Sequence, residues 1–311
     1  MTRPGPATES FAPWLGTAVF AYGLLVVANL AWSGNIVLVR ALHQDIPPIG
    51  MMFWRTVITV LVLAPLFLAR RRDQLPLLRA QWRLIALLGV LQFAGGQGLL
   101  YVALQTTTAV NAGLLSATEP ALTAIVAWLL LVERINRWQW LGVALTLLGV
   151  AVIVLRGEIG GLVGLELVAG DFIVQAAMLC WALYMVLFRR VAPGIHPFVL
   201  LFAMSVPATL ALAPFYAVEM LWFDRHVELN VQTGIVVAYL IFFGTIVGIA
   251  FSNMAIARIG PSRASSFTNL IPVFTAMLGV VLLGEAFLGH HLVGTVLVFA
   301  GVAIVNRLRH R

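Results

Sequence analysis

Asn111 to Glu133 reads NAGLLSATEPALTAIVAWLLLVE, and Arg263 to Glu285 reads RASSFTNLIPVFTAMLGVVLLGE. Each stretch is apolar enough to cross a bilayer as a helix, which takes roughly 20 residues. The two are copies. Pro120 matches Pro272 and Glu133 matches Glu285, both at an offset of 152. In the apolar run that follows each, Gly142 and Gly149 match Gly294 and Gly301 at the same offset. Upstream, Trp32, Arg40, Pro48 and Pro65 match Trp181, Arg189, Pro197 and Pro214 at an offset of 149. The growth in offset implies a small insertion in the second copy. The chain is a duplicated unit, and its centre is expected where the copies meet.

Composition sets the solvent. Of 311 residues, 61% are hydrophobic and 10% charged, and the mean hydropathy is +1.00. Soluble domains are about 45–50% apolar, so a polytopic membrane protein is expected, with the lipid bilayer as its medium. The net charge of +7 does not point to nucleic acid, because the arginines lie in short loops between apolar runs, where they set orientation. A single cysteine, Cys180, rules out an intrachain disulfide and any Cys-based metal motif. His43, His196, His226, His290, His291 and His310 fall in loops or at span ends. There is no HExxH, G-x-S-x-G or P-loop pattern, which argues against a membrane enzyme. No metal site and no cofactor is expected.

The fold class expected is an all-α membrane protein of ten transmembrane helices, arranged as two inverted five-helix repeats. The apolar runs lie near 15–40, 48–69, 84–104, 109–131, 138–155, 171–189, 197–217, 233–257, 263–283 and 289–306. Residues 1–13 read as a disordered tail, 14–155 as the first repeat, 156–170 as a connecting loop, 171–306 as the second repeat and 307–311 as a tail. Arg70, Arg71, Arg72, Arg79, Arg83, Arg134, Arg137, Arg189, Arg190 and Arg258 fall at one end of this arrangement. Asp45, Glu158, Glu166, Asp171, Glu219, Asp224, Glu228 and Glu285 fall at the other. By the positive-inside rule both termini are cytoplasmic. An odd number of spans per repeat turns the second copy upside down. Inverted repeats are characteristic of secondary transporters, with the substrate near midplane at the repeat interface.

The run Glu119-Pro120, Glu133-Arg134, Gly142, Gly149 resembles the EamA-type unit of the drug/metabolite transporter superfamily. Pro272, Glu285, Gly294 and Gly301 resemble it again, and Pro47-Pro48 followed by Arg55 resembles the second helix of such a unit. The resemblance implies an alternating carrier in a bacterial cytoplasmic membrane that exports small metabolites, with the amino acid exporter branch as the nearest counterpart. A drug or nucleotide-sugar carrier is the alternative among carriers, and a polytopic membrane enzyme the alternative outside them. A small-molecule substrate is the implied partner, and a monomer is the expected assembly. Ile271 stands where Glu119 stands in the first copy, so whatever Glu119 does is done once.

Glu119 is the sharpest candidate, because an ionisable residue inside a span costs about 2.5–3.5 kcal/mol on insertion scales. It is read either as a substrate-amine or proton-coupling carboxylate, or as support for the kink at Pro120. Arg55, deep in the second run, is read as an ion partner of Glu119 or a substrate ligand, against an arginine that snorkels outward. Trp32 and Trp181 lie too far inside their runs for interfacial anchors. They line a cavity or fill a core. Asn35, Gln97, Tyr101, Tyr184, Asn253 and Asn269 need polar partners, which a polar midplane cavity or interhelical hydrogen bonds would supply. Gly96, Gly244 and Gly248 are read as close-packing positions, with Pro120 and Pro272 as structural prolines.

Overall fold

The computed structural model describes residues 18–131, 136–155, 168–191, 194–225, 227, 231–248, 251–252, 254–255 and 266–307. Among them every regular element is helical. Helix α1 is Ala18–Ala41, α2 Pro48–Ala80 and α3 Trp82–Ala103, the last with a π-helical segment at Val90–Gly98. Helix α4 is Ala109–Ser116, α5 Glu119–Leu131, α6 Arg137–Val154, α7 Ala169–Phe188 and α8 Pro197–Phe223. Helix α9, Val231–Tyr239, runs into a second π-helical segment at Leu240–Val247. A 3-10 turn, Ser266–Asn269, leads into α10, Leu270–Leu283, and α11 is Gly289–Arg307. Six of these helices are long and apolar enough to cross a membrane, or seven if α4 and α5 form one bent span. Three more apolar helices, Thr233–Val247, Leu270–Leu283 and Gly289–Ile304, are shorter.

Three boundaries differ from the sequence reading. The run at 109–131 is not one helix: α4 and α5 meet at 41°. Pro120 sits in the first turn of α5, where its missing N–H costs nothing. The turn before it is closed by Ala117 N to Leu114 O and Thr118 N to Leu115 O, with the Thr118 hydroxyl also donating to Leu115 O. Helix α2 runs on to Ala80, 33 residues in all. That is about 50 Å at 1.5 Å per residue, well beyond a hydrocarbon layer. Helix α8 continues through Pro207 and Pro214 to Phe223. Asn253, Glu133, Arg134, Arg258 and most of 156–170 lie outside the described residues.

Packing repeats itself across the two halves, with partners exchanged. Phe53 stacks on Tyr216 with centroids 5.1 Å apart, and Phe67 stacks on Phe202 at 4.6 Å. Phe202 and Tyr216 are the 149-offset counterparts of Phe53 and Phe67, so the second contact is the first with its partners swapped. A Cβ added at Gly149 would lie 2.7 Å from the Gly294 carbonyl, and one at Gly301 would strike the Gly142 carbonyl. Gly294 and Gly301 are the 152-offset counterparts of Gly142 and Gly149. Helices α6 and α11 are therefore antiparallel and in backbone contact, the close approach that paired small residues permit. Helices α2 and α8 are antiparallel as well.

The connections between helices gather at two ends. At one, the Gln74 amide donates to Gly194 O, His196 N donates to Gln74 Oε1, and Gln81 donates to Arg190 O. This end holds Arg70, Arg71, Arg72, Arg79, Arg189 and Arg190. At the other, carboxylates close helix N-termini. Glu219 accepts from Gly50 N at 2.7 Å and Ile49 N at 3.4 Å. Glu285 accepts from Ala109 N at 2.9 Å and Val110 N at 2.8 Å, and pairs with Arg40 at 3.7 Å. Negative charge is favoured there, where orphan N–H groups and the helix dipole point outward. Arg40 also donates to Leu104 O at 2.8 Å. Buried Asp171 accepts from Thr107 and Asn111. These side chains tie five connections into one acidic end.

Candidate functional site

The π-helical segment Leu240–Val247 collects the polar side chains of the first half. A π turn adds a residue to the helical repeat and shifts side-chain directions, and such turns favour functional positions. Thr245, 3% exposed, accepts from Arg55 Nη2 at 3.0 Å. Arg55 Nη1 donates to the Tyr101 hydroxyl at 2.7 Å, on the last turn of α3. Arg55 is itself 3% exposed, and its Nε has no partner among the described residues. It points into the bundle and does not snorkel. Its recorded partners are two neutral hydroxyls, not Glu119. A guanidinium carries five N–H donors in a fixed fork, and burying its charge against neutral oxygens leaves most of the desolvation cost unmet. One edge of the fork, Nε–H with a remaining Nη2–H, is the edge that grips a carboxylate by two parallel hydrogen bonds.

Gly244, the neighbour of Thr245, receives two groups from α1. Trp32 Nε1 donates to Gly244 O at 2.8 Å. The Asn35 amide fills the place a Gly244 side chain would occupy. Asn35 is 6% exposed, and its Oδ1 has no partner among the described residues. The Trp32 ring lies on Gly248, where an added Cβ would come within 2.5 Å of Nε1. Gly244 and Gly248 are thus packing positions for a ring and an amide.

The second half builds the same contact with different chemistry. Trp181 lies on Gly96 of the other π-helical segment, 3.2 Å from an added Cβ, and its Nε1 donates to Gln92 Oε1 at 2.8 Å. Gln92 is the 152-offset counterpart of Gly244. The counterparts of Arg55, Asn35 and Thr245 are Met204, Tyr184 and Phe93. Met204 and Phe93 are each 3% exposed, and Tyr184 packs on Phe188 with the rings tilted by 49°. The buried charge at the first segment has no equivalent at the second, where Met204 stands in the place of Arg55.

Glu119 opens α5, half-buried, and accepts from the Thr123 hydroxyl at 3.0 Å. Pro120 follows it at the break, and Pro272 is buried in the first turn of α10. Ile271, in the place of Glu119, has its carbonyl held by Ser33 at 3.1 Å. Gln97 and Asn269 are half-buried. Between α2 and α9 lies a cavity of about 340 Å³ with an apolar lining that includes Trp54, Ile58, Val237 and Ile241. Among the described residues no cluster of His, Cys, Asp and Glu could hold a metal ion.

Sequence reasoning did not pick out Thr245 or Gln92 as partners, though Gln92 was reachable as the counterpart of Gly244. It took Asp171 and Glu219 as orientation markers only, and Glu285 as an orientation and repeat marker. The capping role of Glu219 and Glu285 carries no local signal, because each caps a helix far away in the chain.

The description "EamA-like transporter family" matches twice, at residues 19–155 and 168–307. Among the relatives, the chain is 32% identical over 219 residues to the uncharacterized transporter YyaM of Bacillus subtilis, covering 69% of this chain and 70% of that one. It is 26% identical to the uncharacterized inner membrane transporter YedA of Escherichia coli, over 85% and 83% of the two chains. It is 24% identical to a probable amino-acid metabolite efflux pump of Salmonella typhimurium, over 90% and 92%. A solved crystal structure shares the fold at a TM-score of 0.59 and 23% identity, covering 95% of this chain and 100% of that one.

Proposed function

The chain belongs to the EamA-like transporter family, and from that premise we propose a secondary active carrier that exports small zwitterionic metabolites, amino acids foremost, across the bacterial cytoplasmic membrane. Support comes first from Arg55. A cation held deep between helices, with hydroxyl partners and an Nε that has no partner among the described residues, is arranged to receive an anion that comes and goes. A permanent carboxylate partner would neutralise it. A Salmonella relative described as a probable amino-acid metabolite efflux pump agrees with a carboxylate-bearing cargo.

The carrier works by alternating access between two inverted five-helix halves. The exchanged contacts of α2 with α8 and of α6 with α11 support the inversion, since only antiparallel copies swap partners in that way. The three shorter apolar helices, with α4 and α5 as one broken span, complete ten crossings. The termini lie on the cytoplasmic side with the arginine-bearing end. The acidic end is then periplasmic. Its ties, Arg40–Glu285 among them, hold that end together in this structure and must part when cargo leaves. Glu119, on the broken span, is the proton-exchanging carboxylate, bared to one side and then the other as α4 and α5 change their angle.

Proteoliposomes loaded with labelled amino acids and driven by an imposed pH gradient test this reading. Saturable, competable efflux is expected. Glu119→Gln should cripple gradient-driven transport while leaving expression and detergent stability near normal. Normal driven transport by Glu119→Gln would remove this carboxylate from coupling, and loss of folded protein would make it a support for the break at Pro120.

A further inference from the structure

Two buried polar groups flank one π-helical segment, and both lack what their chemistry demands. Among the described residues, Arg55 Nε finds no acceptor and Asn35 Oδ1 finds no donor. They are 3% and 6% exposed. Arg55 is held on Thr245, and Asn35 packs on Gly244. Gly244 and Thr245 are neighbours in the chain, so both groups are fastened to adjacent residues of one segment. A buried amide with no partner is costly, and a ligand that supplies the partner removes the cost.

We propose that Asn35 is the residue that recognises the substrate's amino group, so that Arg55 and Asn35 together select a zwitterion over a plain carboxylate. The inference rests on the reading of Arg55 given above and assigns the amine to Asn35, leaving Glu119 for coupling. An ammonium offers three donors and no acceptor, which matches a lone carbonyl oxygen. A neutral amide also suits the place better than a carboxylate would. An acid beside Arg55 would pair with it and close the site to the cargo. The other half shows that the scaffold does not require this chemistry: Met204, Tyr184, Phe93 and Gln92 fill the same slots around the same tryptophan contact. Charge was placed on one side only, as an off-axis site for a single small ligand needs.

The test is direct binding to the purified, detergent-solubilised full chain. Standard amino acids are screened by thermal stabilisation, and each that binds is paired with its des-amino acid, such as leucine with 4-methylpentanoate, or threonine with 3-hydroxybutyrate. The unmodified protein should prefer the amino acid by about tenfold or more, the worth of one hydrogen bond to a charged group. Asn35→Leu, which keeps the branched outline, and Asn35→Ala should each bring that ratio close to one while leaving affinity for the des-amino acid unchanged. Arg55→Gln should weaken both members of the pair. A preference that survives in Asn35→Leu and Asn35→Ala overturns the assignment of the amine and leaves Arg55 untouched. Full binding by Arg55→Gln overturns instead the reading on which the assignment rests.

Discussion

Trp32 and Trp181 occupy equivalent places in the two halves, yet they are anchored differently. Each ring lies on a glycine of a π-helical segment, Gly248 for one and Gly96 for the other. Trp32 gives its N–H to the backbone at Gly244, whereas Trp181 gives its N–H to a side chain, Gln92. Around Trp32 stand Arg55, Asn35 and Thr245; in the corresponding slots of the second half stand Met204, Tyr184 and Phe93. The shape is common to both halves and the charge belongs to one. Duplication supplied the scaffold, with its ring-on-glycine contacts and antiparallel glycine seams. On the proposed reading, the cargo chemistry lies in one half, where a single ligand meets it off the axis that relates the copies.

Making the first half like the second should have the largest effect. Arg55→Met installs the residue found at the equivalent position. Transport should fall at least about a hundredfold, close to 3 kcal/mol of transition-state stabilisation. The apo protein should melt no lower than before, because replacing a poorly paired buried charge by an apolar side chain is neutral or stabilising. Parallel efflux and thermal unfolding measurements check this. A falling melting temperature with intact transport would mean Arg55 is a structural tie and the halves differ only in packing.

Next come the two glycines. Gly248→Ala would bring a Cβ to 2.5 Å from Trp32 Nε1 and 2.8 Å from Cε2, against 3.2 Å from Trp181 Cδ2 for Gly96→Ala. Overpacking of this kind costs about 1–3 kcal/mol, with Gly248→Ala at the upper end and Gly96→Ala at or below the lower end. Equal losses in chemical unfolding would show that the two contacts are equally soft and that the asymmetry is confined to the polar groups.

The smallest effect is expected at Gln92. Gln92→Leu leaves the half-buried Trp181 N–H without its acceptor and should cost about 1 kcal/mol, with transport rates little changed. No side-chain substitution can remove the corresponding acceptor of Trp32, which is a backbone carbonyl. A transport loss as large as that of Arg55→Met would put Gln92 in the cargo path and make both halves functional.

The sequence carried the duplication plainly, since paired prolines, glycines and tryptophans at constant offsets need no structure to be seen. It carried Arg55 and Asn35 as buried polar candidates, but not their partners. Tyr101 and Thr245 stand 46 and 190 residues from Arg55, and nothing local links them. The π-helical segments were not legible either, because they depend on which carbonyl each N–H chooses and not on which residues are apolar. Pro120 marked a bend. That the bend is a full break follows from the turn hydrogen bonds at Ala117 and Thr118, which composition does not reveal. Glu119 opens the second piece of the broken run, on a helix that packs against α7.

The most direct test of a one-sided site is the structure of the protein with a bound amino acid. The ligand carboxylate should lie against Arg55 Nε and Nη2, with N···O distances of about 2.7–2.9 Å for a charge-assisted pair, and the ammonium against Asn35 Oδ1. A ligand seated instead between Met204, Phe93 and Trp181, or on the axis out of reach of Arg55, would contradict the account.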